Sequence, residues 1–123
     1  MKLADLLICA IVLLEGCEGG RSEPRYARAT GGDPQRGAQL IDKFNCGSCH
    51  AIPGVRAADG MVGPPLDAFS RRTYIAGELP NNLHNLVRWL RNPPDVEPNT
   101  AMPAVGLTED EARDIAAYLY TLS

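Results

Sequence analysis

The run Cys46-Gly-Ser-Cys-His50 constrains this chain more than any other feature, because two thiols two residues apart with an imidazole directly behind them ask for a bound group. Three chemistries fit. A thioredoxin-type dithiol opens a helix inside a strand-rich α/β domain, and nowhere do Val, Ile and Thr alternate long enough to suggest a sheet. A structural zinc site needs four ligands, of which these residues supply three, with no second pair downstream. In c-type haem attachment, two thiols spaced at one helical turn add to the two vinyl groups of one porphyrin, and the adjacent histidine becomes the fifth iron ligand. The rest of the chain favours this third reading.

The only other cysteines, Cys9 and Cys17, fall in a start that reads as an export signal. Met1-Lys2 gives a positive end, and the apolar run Leu6 to Leu14 is shorter than the roughly 20 residues a bilayer span needs. Covalent haem attachment takes place outside the cytoplasm, so export agrees with it. "LEGC" at residues 14–17 resembles the lipobox of bacterial lipoproteins, with Glu15 as its departure. That resemblance implies cleavage before Cys17 and a lipid on it, the alternative being ordinary cleavage to a soluble periplasmic product. The expected organisation is a signal peptide over 1–16, a lipid-anchored or flexible tether over 17–32, and one domain over 33–123. The expected location is the periplasmic side of the bacterial cytoplasmic membrane. A net charge of −3 excludes a nucleic-acid surface, which needs a basic face to neutralise phosphates.

Within the domain, Asp33-Pro34 is a helix cap followed by a first-turn proline, and Gly37, Leu40, Ile41 and Phe44 form one face running into Cys46. A second helix opens at Asn81-Asn82, carries Leu83, Leu86, Val87 and Leu90, and stops before Pro93. The third starts at a capping box of Thr108 and Glu111 and shows a stripe of Ile115, Tyr118, Leu119 and Leu122. Between them lie long turn-rich stretches that read as loops, and the chain has 10 prolines and 12 glycines. The fold class is therefore all-α, with three short helices and long loops that must wrap something to be stable. A sixth iron ligand would come from Met61, Met102 or His84. Met102 is favoured, because Pro98 and Pro103 stiffen its loop, whereas Met61 reads as a loop residue and His84 as a surface histidine.

The attachment motif, "GPPL" at 63–66, "NLVRWLRNP" at 85–93, "AMPAVGL" at 101–107 and the "IAAYLYTL" ending together resemble the class I cytochrome c family over residues 31–123. The stretch from Ser70 to Leu119 is more narrowly similar to the cytochrome c domain fused to subunit II of some bacterial haem-copper oxidases. The resemblance implies the class I fold wrapped round one haem c, thioethers on Cys46 and Cys49, and iron held by His50 and Met102. It also implies that the Pro64 carbonyl accepts the second ring proton of His50, that Trp89 lies near the Met102 sulfur, and that Arg71, less strongly Tyr74, sits at a haem propionate. Gly37 and Tyr118 should meet where the first and last helices cross, with Ile41 standing where relatives commonly have an aromatic.

These roles imply a one-electron carrier rather than an enzyme. It would dock transiently, as a monomer unless held in a respiratory complex, between an upstream quinol-oxidising complex and a haem-copper terminal oxidase. The copper-binding domain of subunit II has no counterpart here, which implies a free-standing or lipid-tethered carrier. Two other readings stand beside it: a haem sensor or peroxidase-like enzyme whose Met102 dissociates, and a tightly bound subunit of a respiratory complex.

Overall fold

The computed structural model describes residues 29–123; the export signal, Cys17 and most of the tether lie outside the described residues. The first helix, α1 (Pro34–Lys43), starts where expected, with the Asp33 carboxylate accepting from the amides of Gln35 (2.8 Å) and Arg36 (3.2 Å) and Pro34 filling the first turn. It does not run on into Cys46. Phe44 caps it and Asn45 turns left-handed at φ 59°, a conformation asparagine tolerates, so the chain re-enters as a separate 3₁₀ turn, Cys46–Ser48.

Residues 51–80, expected as structureless loop, hold a 3₁₀ turn at Phe69–Arg71 and a two-stranded antiparallel ribbon. In the ribbon, β1 (Tyr74–Ile75) pairs with β2 (Leu79–Pro80), Tyr74 opposite Pro80 and Ile75 opposite Leu79. The all-α expectation is corrected to that extent: the described residues are mostly helical with this small ribbon added. Two residues per strand are too few for an alternating pattern to register in the sequence. The ribbon is closed by Ala76 and Gly77, both at positive φ, with the Glu78 amide donating to the Ile75 carbonyl at 3.0 Å.

Helix α2 (Leu83–Arg91) is capped by the Asn82 side chain, which accepts from the Asn85 amide at 3.0 Å, and it buries Leu86, Val87, Trp89 and Leu90. A one-turn helix, α3 (Pro93–Val96), follows in a segment expected as loop, its paired prolines standing at the first helical positions where no N–H is required. The last helix, α4 (Glu109–Leu119), carries the anticipated capping box: Thr108 Oγ1 accepts from the Glu111 amide at 3.2 Å, and the Thr108 amide donates to Glu111 Oε2 at 3.0 Å.

Helices α1 and α4 form the main packing pair and α2 lies against α4. Gly37 allows the crossing: a Cβ there would overlap the Asp114 carbonyl and press on Cβ of Tyr118. Asp114, an acid buried at the same crossing, accepts from the Asp33 amide at 2.7 Å and from Arg36 Nε at 2.9 Å and Nη2 at 3.1 Å. Thr30 and Gly32, expected in the tether, are buried: the Gly32 amide donates to Thr30 Oγ1 at 3.1 Å, and Arg113 of α4 donates to the Thr30 carbonyl at 3.4 Å. The core runs from Ile41 and Ile52 through Phe69, Ile75, Leu86 and Trp89 to Ile115 and Leu119. Among the described residues no helix is long and apolar enough to cross a membrane.

Candidate functional site

The Cys46–Ser48 turn brings its functional groups together through local bonds. The amides of Cys49 (3.2 Å) and His50 (3.0 Å) both donate to the Cys46 carbonyl, and Ser48 Oγ donates to the Asn45 carbonyl at 2.8 Å. Cys46, Cys49 and His50 are all half-buried, and both thiols are free. Burial pushes the Cys46 thiol pKa up, with a smaller push from Cys49, against a local backbone bond that lowers it. A dithiol oxidoreductase needs the opposite, a thiol held down so that it reacts as thiolate. A zinc site fares no better, because no three His, Cys, Asp or Glu side chains among the described residues are grouped to hold a metal ion.

A second segment folds over the histidine. The Gly63 amide donates to the Cys49 carbonyl and the Leu66 amide to the Ala51 carbonyl, both at 2.8 Å, which lays Gly63-Pro64-Pro65-Leu66 along the motif. The Pro64 carbonyl then lies 2.7 Å from His50 Nδ1. A carbonyl oxygen only accepts, so Nδ1 carries a proton, and in the neutral ring the lone pair is then on Nε2. That is the tautomer a metal-ligating histidine needs, with the ring's donor strength raised by the bond behind it. At Gly63 a Cβ would overlap the imidazole ring itself, so only glycine lets the chain pass this close.

Of the three methionine and histidine candidates for the opposite iron face, Met102 alone packs against the core, half-buried, with its amide donating to Thr100 Oγ1 at 3.2 Å. Met61 is 93% exposed. His84 is exposed on α2 and lines a cleft of about 540 Å³ with Arg88, Arg91, Glu109 and Arg113, a cleft that includes none of Cys46, Cys49, His50 or Met102. Trp89 belongs to the core cluster against which Met102 rests.

Arg71 is exposed, and no side-chain hydrogen bond or ion pair joins it to another described residue; Tyr74 is 56% exposed. The neighbouring Arg72 turns inward instead. Its Nη2 donates to the Pro65 carbonyl and, at 3.2 Å, to the Asp67 carbonyl, and its guanidinium carbon lies 5.5 Å from the Phe69 ring centroid. Two adjacent arginines look alike in a sequence; in the fold Arg71 ends the 3₁₀ turn and Arg72, the residue after it, is the one bonded to the loop.

Two half-buried thiols, an imidazole and a thioether packed on the core are the kinds of group that a covalently held haem takes. The Cytochrome c family model matches residues 34–123. The chain belongs to the cytochrome c family. It has the class I fold, and its cofactor is covalently bound haem c with iron. It is 33% identical over 110 residues to cytochrome c oxidase subunit 2 of Alkalihalophilus pseudofirmus, covering 89% of this chain and 30% of that protein. Proteins of the same name from Bacillus subtilis and Bacillus sp. (strain PS3) are 32% and 35% identical over 69% and 72% of this chain. The chain thus spans 25–30% of the length of these relatives.

Proposed function

We propose that this cytochrome c is a one-electron carrier, its haem iron held between His50 and Met102, that delivers electrons to a haem-copper terminal oxidase. The observation that carries the ligand assignment is the 2.7 Å approach of His50 Nδ1 to the Pro64 carbonyl, which leaves Nε2 as the only ring donor. The haem supplies one-electron exchange between ferrous and ferric iron. The chain's own residues would do the rest: Cys46 and Cys49 would hold the porphyrin through thioethers, and Met102, from a loop packed on the core, would supply a thioether to the iron beside His50. With both side chains bound, the iron would have no position left for a substrate. Ile52, Trp89 and the rest of the core supply the apolar surroundings that disfavour the extra charge of ferric iron and raise the potential.

The oxidase as acceptor is supported by the similarity to subunit 2 proteins, and an anchored carrier on the periplasmic side by the export signal and Cys17. Arg71, exposed at the end of the 3₁₀ turn Phe69–Arg71, is assigned to a propionate. Electron-transfer encounters bury little surface, and this chain has lysine only at positions 2 and 43, so docking should depend weakly on charge. The test mixes reduced holoprotein with a purified haem-copper oxidase in a stopped-flow instrument over a range of ionic strength. Oxidation that varies little with salt is the expected result, and no oxidation at any salt would overturn the assignment of acceptor.

A further inference from the structure

We infer that Arg72 is a positioning residue for His50, acting through the backbone of the Gly63–Leu66 loop. The loop is short of its own restraints, because Pro64 and Pro65 carry no N–H. Carbonyls along it are instead taken by side chains: Pro64 by His50 Nδ1, Pro65 and, past Leu66, Asp67 by the Arg72 guanidinium. The Pro64 carbonyl lies in the 64–65 peptide and the Pro65 carbonyl in the next, with the Pro65 ring fixing φ between them, so a shift of residue 65 that frees the second carbonyl also displaces the first from the imidazole. Arg72 is in turn anchored from behind. Its own carbonyl accepts from Asn81 Nδ2 at 3.0 Å, the same amide nitrogen donates to the Phe69 carbonyl at 3.2 Å, and Tyr120, the residue capping α4, donates to Asn81 Oδ1 at 3.0 Å. A continuous set of bonds therefore runs from the end of α4 through Asn81 and Arg72 to the imidazole. One guanidinium nitrogen reaches two carbonyls while the delocalised cation lies over the Phe69 ring, 5.5 Å from its centroid, a pair of contacts that lysine's compact, strongly hydrated ammonium does not reproduce.

The inference rests on His50 being the iron ligand, and the experiment separates the two. Proton NMR of the reduced holoprotein follows the His50 Nδ1 proton and its exchange with solvent in the wild type, Arg72→Lys and Arg72→Ala. A strong ring-current shift of the His50 protons marks the ligand, and its absence would overturn both assignments. With that shift present, exchange of the Nδ1 proton should accelerate roughly tenfold in both variants, the scale of losing a charge-assisted bond, while the Ala116 amide in α4 exchanges as before. The reduction potential of Arg72→Lys should move upward, since a looser Nδ1 bond weakens the ring as a donor to ferric iron at unchanged charge. Exchange at the wild-type rate in Arg72→Lys would show that charge alone suffices and would overturn the positioning role. Equal acceleration at Nδ1 and Ala116 would overturn it too, as a general loss of stability.

Discussion

Replacing Asp114 by asparagine should destabilise the protein by about 1 kcal/mol at neutral pH and by progressively less as the pH falls below about 3.9. Asp114 is 6% exposed and its Oδ1 takes the Asp33 amide at 2.7 Å. Asparagine still offers an oxygen, but a charge-assisted bond is about twice as strong as a neutral one, so about 1 kcal/mol is lost. The Arg36 partner is 63% exposed, and solvent screens it, so the figure is assigned to the amide bond alone. For a domain of this size the melting temperature should fall by about 4–8 °C. Burial by itself raises the Asp114 pKa, but the bonds from Arg36 and the Asp33 amide outweigh it and hold the carboxyl below its usual value. A depressed folded pKa means that the stabilisation is fully present above the unfolded value of about 3.9 and is lost as pH falls through the lower folded value. Asparagine does not titrate there, so the two proteins should converge in acid. Thermal unfolding of both holoproteins by circular dichroism between pH 7 and pH 3 measures the gap. A gap that stays constant over that range, or that is absent at pH 7, would refute the reasoning.

Three further outcomes are expected. Gly37→Ala places a methyl against the Asp114 carbonyl, backbone that does not yield, and should cost about 1–3 kcal/mol in denaturant unfolding. Trp89→Ala removes the largest side chain of the buried core and should cost about 3–5 kcal/mol, read the same way. Single Cys46→Ala and Cys49→Ala variants should each keep haem through one thioether, whereas the double variant should give a haem-free chain by mass after acidic solvent extraction; haem retained in the double variant would contradict attachment through these thiols.

The helices that position the site were legible because each carries a start signal with a mechanism. Asp33-Pro34, Asn82 and the Thr108–Glu111 box sit at the caps of α1, α2 and α4. Gly37 was legible as a close approach to Tyr118, yet the Asp114 carbonyl as its nearest neighbour was not, since it depends on how far one helix slides along the other. Asp114 itself reads as one more helical acid until the partners from α1 converge on it. The ribbon and α3 were missed because elements of two or four residues leave no periodic trace. His50 and the Gly63–Leu66 loop were readable as a family pattern, but the role of Arg72 was hidden beside Arg71, because nothing in two adjacent arginines says which one reaches back to the loop.

The His50/Met102 ligation of the haem is tested most directly by the optical spectrum of the oxidised protein, in the weak far-red band that reports sulfur bound to ferric iron. The account expects this band in the wild type, in Met61→Ala and in His84→Ala, and its loss in Met102→Ala. A native protein without the band, or a Met102→Ala variant that keeps it, would contradict the assignment.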